Sequence, residues 1–283
     1  MSHATIDGIE TRYEVLGEGP PVLMFAPGGF DATLEKWSTL SVYEKTGLLD
    51  RLSERYRCII FDRRETGESG GRVEVISWDS YVAQGEGLLD HLGIDKAHLL
   101  GGCMGCCPVT VFAARNPQRT LSMVLYWPVG GAHFRERGQA RFDTHLAFVA
   151  DVGLAGVIQL ARNTEEGFGK DPRVGPWASV LRRDETFAAA YEGLDVDRYR
   201  TIVRETAQTL FDRDTAPGAE PEELAALDLP TLIVPGNDAV HTREAARFLE
   251  SALPAPEFWD VLPEEQTAQS APARVIEFLD STR

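Results

Sequence analysis

A cysteine flanked by glycines, in the stretch Gly-Gly-Cys-Met-Gly at residues 101–105, is the feature of this sequence best suited to covalent chemistry. An apolar run at 97–100 precedes it, and a stretch with helical character follows it. A nucleophile on a tight turn between a strand and a helix needs small neighbours, because its backbone is strained and another segment passes close by. A helix N-terminus also favours a thiolate and an oxyanion. The spacing therefore predicts Cys103 as a nucleophile, with the backbone amide of Met104 directed at the reacting oxygen.

Short apolar runs that alternate with helical stretches predict the elements that position this turn. Continuous apolarity over four to six residues indicates strands buried on both faces, and the alternation with helices indicates parallel pairing. Buried strands are predicted at 22–26, 57–61, 97–101, 121–126 and 231–234, a weaker one at 257–261 and an edge strand at 9–15. Ser77 or Asp79 is predicted to cap a helix that ends near Leu92, and Thr242 one that ends near Leu253.

The composition and the hydrophobic pattern of the sequence change between residues 131 and 227. Strand signals disappear there, and helical stretches rich in Arg, Asp, Ala and aromatic residues replace them. We expect residues 131–227 to form a helical lid, inserted into a core domain made of residues 1–130 and 228–283.

Further segments accompany the cysteine turn in a fixed order. Residues 26–30 read Ala-Pro-Gly-Gly-Phe, residues 61–69 form an Asp-Arg-rich turn after a strand, and residues 234–238 read Val-Pro-Gly-Asn-Asp. Together they resemble the oxyanion loop, the turn after the fourth strand and the acid-bearing segment of the α/β-hydrolase family. The resemblance covers nearly the whole chain, and the insertion lies where that family has its lid. It implies an α/β fold with a mostly parallel eight-stranded sheet, helices on both faces and a helical lid.

The same resemblance implies roles for individual residues. Cys103 stands where the family usually has serine, as in its cysteine-bearing branches. The amide of Gly29 or Phe30 joins that of Met104 in the oxyanion hole, and Asp238 is the triad acid.

The family's catalytic histidine is expected after the last strand, yet residues 257–283 contain no histidine. A thiol at a helix N-terminus ionises partly on its own, whereas a serine hydroxyl without a base is nearly inert. Deacylation by water still calls for a base. His133, at the root of the predicted lid, and His241, three residues beyond Asp238, are the candidates for a base recruited from elsewhere, and His145 in the lid is a third.

These residues predict acyl chemistry, by a hydrolase or an acyl transferase, on a small and partly apolar ester, lactone or thioester. Trp127 and Phe134 are predicted to contact the apolar part of the substrate. Two alternatives stay open, namely a lyase, isomerase or cyclase on the same scaffold, and a small-molecule-binding protein whose active site has been retired. Cys103 and Cys106 also have the C-x-x-C spacing of thiol redox sites.

Composition narrows the partners and the compartment. With 28 basic and 44 acidic residues, the net charge of −16 argues against nucleic acid and anionic membranes as partners and leaves a small-molecule substrate. We expect no apolar run long enough to cross a bilayer, no signal peptide and a cytoplasmic location. Three of the four cysteines fall within residues 103–107, which is not the distribution of a disulfide framework. No metal or cofactor is implied, and the oligomeric state is left open.

Overall fold

Eight strands form one sheet in the computed structural model, which describes residues 2–282. The strands are β1 (Ser2–Ile6), β2 (Ile9–Leu16), β3 (Pro21–Phe25), β4 (Arg57–Phe61), β5 (Ala97–Gly102), β6 (Thr120–Tyr126), β7 (Thr231–Val234) and β8 (Glu257–Phe258). Their order across the sheet is β1-β2-β4-β3-β5-β6-β7-β8. β1 pairs with β2, and β2 with β4, in antiparallel fashion, while the other pairs are parallel. The predicted mostly parallel eight-stranded α/β sheet is confirmed.

The two ends of the sheet differ from the sequence-based expectation. The predicted edge strand at residues 9–15 is not at the edge, because β1 pairs with it and takes that place. Asp7 and Gly8, which join the two strands, both have positive φ angles of 48° and 72°. Such angles are typical of the tight turn that matches strand twist in a hairpin. At the other end β8 is only two residues long, shorter than the predicted 257–261.

Side chains that alternate along each strand fill two separate cores, one on each face of the sheet. In β3, Leu23 and Phe25 belong to one buried cluster, whereas Val22 and Met24 belong to the other. Successive strand residues point to opposite faces, so a strand apolar at every position buries both of them. This is why the continuous apolar runs in the sequence identify the central strands.

Helices cover both faces. They are α1 (Lys36–Thr39), α2 (Ser41–Thr46), α3 (Leu48–Ser53), α4 (Trp78–His91), α5 (Cys106–Arg115), α6 (Ala132–Arg162), α7 (Ala178–Arg183), α8 (Glu185–Glu192), α9 (Val196–Leu210), α10 (Pro221–Ala225), α11 (Arg243–Ala252) and α12 (Ser270–Ser281). Ser77 caps α4 by accepting a hydrogen bond from the amide of Ser80, and Thr242 caps α11 through the amide of Ala245. Thr242 is the predicted cap, and of the two predicted alternatives for α4 the structure has Ser77, while Asp79 lies within the first turn of the helix.

Between β6 and β7 the described chain forms helices α6 to α10, which we call the helical insertion. Its interior is aromatic and well buried, with Phe142, Trp177, Tyr191 and Tyr199 each 1% exposed or less. The change of composition and pattern in the sequence therefore marks a stretch whose regular secondary structure is all helical. Its role as a lid, with boundaries at 131 and 227, stays a prediction at this point.

The expectation that no stretch of the chain is long and apolar enough to cross a bilayer is wrong for α6. By length and composition, part of Ala132–Arg162 qualifies as a candidate span. The same helix is interrupted at Gly153, where φ is 68° and ψ is −179°, and it buries Phe142, Val149 and Val157 against its neighbours. Apolar helices that pack inside a folded domain meet the same criterion.

Candidate active site

Cys103 lies on a tight turn at the carboxyl edge of the sheet, directly after β5. Its φ angle is 54°, an uncommon value for a residue with a side chain, and a short 3₁₀ turn then leads into α5. A Cβ added at Gly101 would lie 2.5 Å from the carbonyl oxygen of Gly105, and one added at Gly105 would lie 2.2 Å from that of Phe25. The two glycines are therefore required by close backbone contacts, as the sequence spacing predicts.

Two backbone amides lie beside the sulfur of Cys103, those of Met104 and Gly28. Gly28 follows β3, the strand next to β5, and has a φ of 113°. The sequence analysis named the amide of Met104 and that of Gly29 or Phe30 for the oxyanion, and these roles stay predictions. It did not name Gly28, which lies in the same loop as Gly29 and Phe30. The sequence carries a signal for Gly28 only in its being a glycine, since a side chain would not favour that φ angle.

His241 joins Cys103 to Asp238. Its Nδ1 atom lies 2.8 Å from Oδ2 of Asp238, and the imidazole and the Cys103 thiol are close enough for each to shift the pKa of the other. Among residues 2–282, the buried Nε2 atom has no hydrogen-bond partner, and Cys103 is close enough to raise the pKa of the ring. The other carboxylate oxygen of Asp238 accepts hydrogen bonds from the amides of Val240 and His241. Because Nδ1 faces a carboxylate it carries a proton, so Nε2 is the atom that exchanges one with the thiol.

The chain after β7 places this histidine by extending the pairing between β6 and β7. The amide of Trp127 donates to the carbonyl of Val234 at 2.8 Å, and the amide of Gly130 donates to the carbonyl of Val240 at 3.0 Å. Gly130 and His241 then form an isolated parallel bridge. The position of the imidazole is thus fixed by backbone contacts, and the side chain is only 13% exposed.

Charge and hydrogen bonding in this group favour a thiolate. Burial would raise the pKa of the Cys103 thiol, but the charge and hydrogen bond of His241, with the amides of Gly28 and Met104, together lower that pKa below its ordinary value. Burial would lower the pKa of His241, yet Cys103 and Asp238 raise it overall. The hydrogen bond from His241 holds the pKa of Asp238 well below its usual range. The interaction therefore shifts the pair towards thiolate and imidazolium, and the thiolate is the form in which a cysteine acts as a nucleophile.

The other two candidate histidines lie elsewhere. His133 is on the first turn of α6, exposed, and does not line the cavity at Cys103. His145 is buried inside the helical insertion, where Nδ1 binds the carbonyl of Arg173 at 3.0 Å and Nε2 binds the hydroxyl of Tyr199 at 2.5 Å. Burial lowers the pKa of His145 to about 4. Both of its ring nitrogens are used within the insertion.

Cys106, three residues after Cys103, differs from it in every respect that matters for reactivity. Its sulfur is 3.1 Å from the carbonyl oxygen of Gly101, to which the thiol donates, and the side chain is buried. Burial, with the neighbouring Cys107 and Cys103, raises the pKa of Cys106 well above its ordinary value. The environment of the second cysteine of the C-x-x-C spacing is therefore that of an inert structural thiol.

A cavity of about 320 Å³ opens in front of Cys103. Gly29, Phe30 and Phe134, three of the predicted site residues, line it together with Cys103 and Met104. The carbonyl of Gly29 accepts a hydrogen bond from Arg63 at 2.5 Å, which fixes this loop from behind.

Trp127 is not among the residues that line the cavity. Its ring packs against the imidazole of His241 instead, with centroids 5.6 Å apart, and its backbone has a φ of 58°. Within residues 2–282, no group of three or more His, Cys, Asp and Glu side chains is placed to hold a metal ion.

Comparisons with known proteins agree with this architecture. A family model described as alpha/beta hydrolase fold matches residues 21–153. The chain is 33% identical over 193 residues to a 2-hydroxy-6-oxo-6-phenylhexa-2,4-dienoate hydrolase of Comamonas testosteroni, a match that covers 65% of each chain. It is 32% identical over 130 residues to the dihydrolipoyllysine-residue acetyltransferase component of the acetoin cleaving system of Cupriavidus necator, covering 45% of this chain and 32% of that protein. The chain thus spans about a third to two thirds of the length of these relatives.

Solved structures resemble nearly the whole chain. An alpha/beta hydrolase from a Medee basin deep-sea metagenome library superimposes with a TM-score of 0.66 at 16% identity, covering 100% of this chain and 98% of that one. The enol-lactonase of Burkholderia xenovorans superimposes with a TM-score of 0.62 at 18% identity, covering 99% and 100%. With the sheet order, the strand-turn-helix at Cys103 and the match at residues 21–153, this likeness shows that the chain has the α/β-hydrolase fold.

Proposed function

We propose that this protein is a hydrolase that cleaves a small ester, thioester or lactone through Cys103, His241 and Asp238. The observation that carries the proposal is the placement of one imidazole between a carboxylate and a thiol at a strand-to-helix turn. That constellation is recognised by its geometry and by the roles of its members, whatever their order in the sequence. The hydrolase names of several relatives support the same reaction class.

In the proposed reaction the Cys103 thiolate attacks the carbonyl carbon, and the C=O pair moves onto oxygen. The amides of Gly28 and Met104, already beside the sulfur, stabilise that oxyanion. Collapse of the intermediate breaks the bond to the leaving group, which takes the proton of the His241 imidazolium. Water then attacks the acyl-cysteine while His241 accepts its proton, and the thiolate leaves as the acid forms.

Asp238 orients the imidazole and stabilises its charged form, as the carboxylate of a triad does. We assign the helical insertion the role of lid, because it supplies Phe134, Gly138 and Phe211 to the wall of the cavity. Such a cover excludes water and contacts the part of the substrate that does not react.

Acyl transfer to an acceptor other than water is the second candidate. It is favoured by the match over 130 residues to the acetyltransferase component. Both reactions share the acyl-cysteine and differ only in what removes the acyl group. Product analysis in water with and without an added thiol acceptor separates them.

The test is to trap the acyl group. The protein is mixed with 4-nitrophenyl acetate and quenched, and its intact mass and peptides are measured. We expect one acetyl group on Cys103, and none after Cys103→Ala. Cys58→Ala is the matched control, since Cys58 is buried in β4 and burial raises the pKa of its thiol to about 12. Acetylation elsewhere, or turnover that survives Cys103→Ala, contradicts the proposal.

A further inference from the structure

The cavity in front of Cys103 is lined by positive charge although the protein as a whole is strongly acidic. Four cations line it, Lys36, Arg137, Arg141 and Lys170, against one carboxylate, that of Asp31. The net charge of the chain is −16. A concave surface lined mainly by cations, in a protein with an excess of acidic residues, favours a negatively charged ligand.

Three of these cations have no ion-pair partner among residues 2–282: Lys36, Arg137 and Arg141 lie more than 4.0 Å from any described carboxylate oxygen, whereas Lys170 pairs with Glu166 at 3.3 Å. Arg135, on the same helix as Arg137 but outside the cavity wall, pairs with Asp214 at 2.6 Å. Acidic partners are abundant in this chain, so cations left unpaired in one cavity are available to a ligand.

Arg141 is the best positioned of the three. Its Nη2 atom donates to the carbonyl of Gly169 at 3.1 Å, and its guanidinium lies 5.9 Å from the ring centre of Phe30 and 6.0 Å from that of Phe168. These contacts hold the planar group in one orientation. Its Nε atom is buried without a hydrogen-bond partner in the described chain. A buried N–H donor without an acceptor is costly, and a bound carboxylate would remove that cost.

Asp31 does not cancel this charge. Its carboxyl group is partly buried against the backbone at Gly167 and Gly169, where any added Cβ would collide with it. Burial raises the pKa of Asp31, and Lys36, Arg63 and Arg141 act in the opposite direction. Even fully ionised, it offsets one of the three unpaired cations.

We propose that the substrate carries a carboxylate at the end of an apolar chain, bound by Arg141 and Arg137 with Lys36 nearby, while Cys103 attacks a carbonyl at the other end. This inference rests on the proposed function and adds the substrate class to it. The cavity of about 320 Å³ suits a chain of about six carbons, with Phe134 and Phe211 beside its methylene groups.

The first experiment measures binding without turnover. Adipate and hexanoate, which share six carbons and differ by one carboxylate, are titrated into the protein by calorimetry. We expect adipate to bind at least about 10-fold more tightly, because one charge-assisted contact is worth that much. Arg141→Gln and Arg137→Gln should each weaken adipate binding. Arg204→Gln is the matched control, an exposed arginine of α9 outside the cavity.

The second experiment measures turnover of the adipoyl and hexanoyl thioesters of N-acetylcysteamine. We expect kcat/KM to favour the adipoyl thioester by about 10-fold or more, mostly through KM. In Arg141→Gln and in Arg137→Gln this ratio should fall towards one. Arg137 is exposed and forms no ion pair within residues 2–282, so its variant keeps the test decisive if Arg141→Gln folds poorly.

The outcomes separate the two proposals. Equal affinity for adipate and hexanoate, together with equal turnover of both thioesters, overturns the carboxylate site and leaves the hydrolase intact. Adipate binding that depends on Arg141, without turnover of either thioester, supports the anion site and overturns the hydrolase.

Discussion

Two loops at the carboxyl edge of the sheet differ in the side chains they bring to Cys103. The resemblance assigns the acid to the loop after β7 and the histidine to the loop after β8. The loop after β7 carries Asp238 and also His241, three residues later. The loop after β8, where the family's histidine is expected, carries none. It supplies Glu264 instead, whose carboxylate accepts hydrogen bonds from Asn237 at 3.2 and 3.3 Å, and Gln266, which accepts one from Tyr126.

The comparison shows that an imidazole can lie beside the Cys103 thiol while it comes from a different loop and keeps its contact with the carboxylate. What chemistry requires is a ring with one nitrogen on an acid and the other on the thiol. A histidine three residues from the acid satisfies this within one turn of chain. The loop after β8 is then free to brace that turn.

Removing the imidazole is the change with the largest expected effect on this comparison. In His241→Ala we expect kcat/KM for the thioester to fall about 10²- to 10⁴-fold, the range for loss of a general base. Steady-state kinetics measures it, and added imidazole should restore part of the rate. His133→Ala is the control, an exposed histidine of α6. If both variants lose activity equally, the loop after β7 does not supply the base.

The ionisation of Cys103 tests the same contact without any substrate. Iodoacetamide reacts with the thiolate, so the alkylation rate falls as pH drops through the pKa of Cys103. That pKa is lowered, so the midpoint should lie below the ordinary value of about 8.5 for cysteine. In His241→Ala burial is no longer opposed by the imidazole, and the midpoint should rise.

Rates are measured by peptide mass spectrometry over a pH series. Cys106 in the same digests is the internal reference, because burial raises its pKa and it should stay unlabelled near neutral pH. An unchanged midpoint for Cys103 in His241→Ala would show that the helix and amides alone activate the thiol.

Neutralising the acid should have a smaller effect. In Asp238→Asn the amide group no longer holds a protonated Nδ1 as a carboxylate does, so the productive tautomer of His241 is less populated. The Asp238 side chain is 50% exposed, and water can take over part of its role. We expect a fall in kcat of about 10-fold to 100-fold. Asp260→Asn is the control, since that carboxylate pairs with Arg243 and Arg247 away from the triad. A neutral outcome would make the carboxylate dispensable.

The turn at Cys103 and the buried strands could be predicted from the sequence, whereas the position of the imidazole could not. Gly101, Gly105 and Cys103 were predicted because a sharp turn constrains residue types locally, and the buried strands because apolar runs report burial. The sequence alone could not show whether His133 or His241 lies beside Cys103, because both follow strands that end at the same edge of the sheet. The bridge between Gly130 and His241 places His241, and not His133, beside Cys103, and that bridge depends on strand pairing. A local signal did exist in the spacing from Asp238, because Asp side chains often bind amides two or three residues on.

The amide of Gly28 beside the sulfur was not predicted, for a related reason. Which amide of the loop after β3 turns towards the sulfur depends on the φ of 113° at Gly28 and on the hydrogen bond from Arg63 to the carbonyl of Gly29. Neither feature is readable from residue types, since residues 28 and 29 are both glycine. Side-chain chemistry was thus more predictable here than backbone direction.

The smallest effect is expected in the loop after β8. Glu264→Gln keeps the shape of the side chain but weakens a charge-assisted contact to Asn237, the neighbour of Asp238. Because both groups are exposed, we expect a change in kcat/KM of no more than about threefold and almost none in the pKa of Cys103. The control is Glu265→Gln, whose carboxylate accepts from the amide of Leu262 within its own loop. Steady-state kinetics and the alkylation midpoint together distinguish the roles, because a brace alters rate slightly and leaves the midpoint in place. A loss as large as that of His241→Ala would mean that the loop after β8 also takes part in the acid–base chemistry, which would then not belong to the loop after β7 alone.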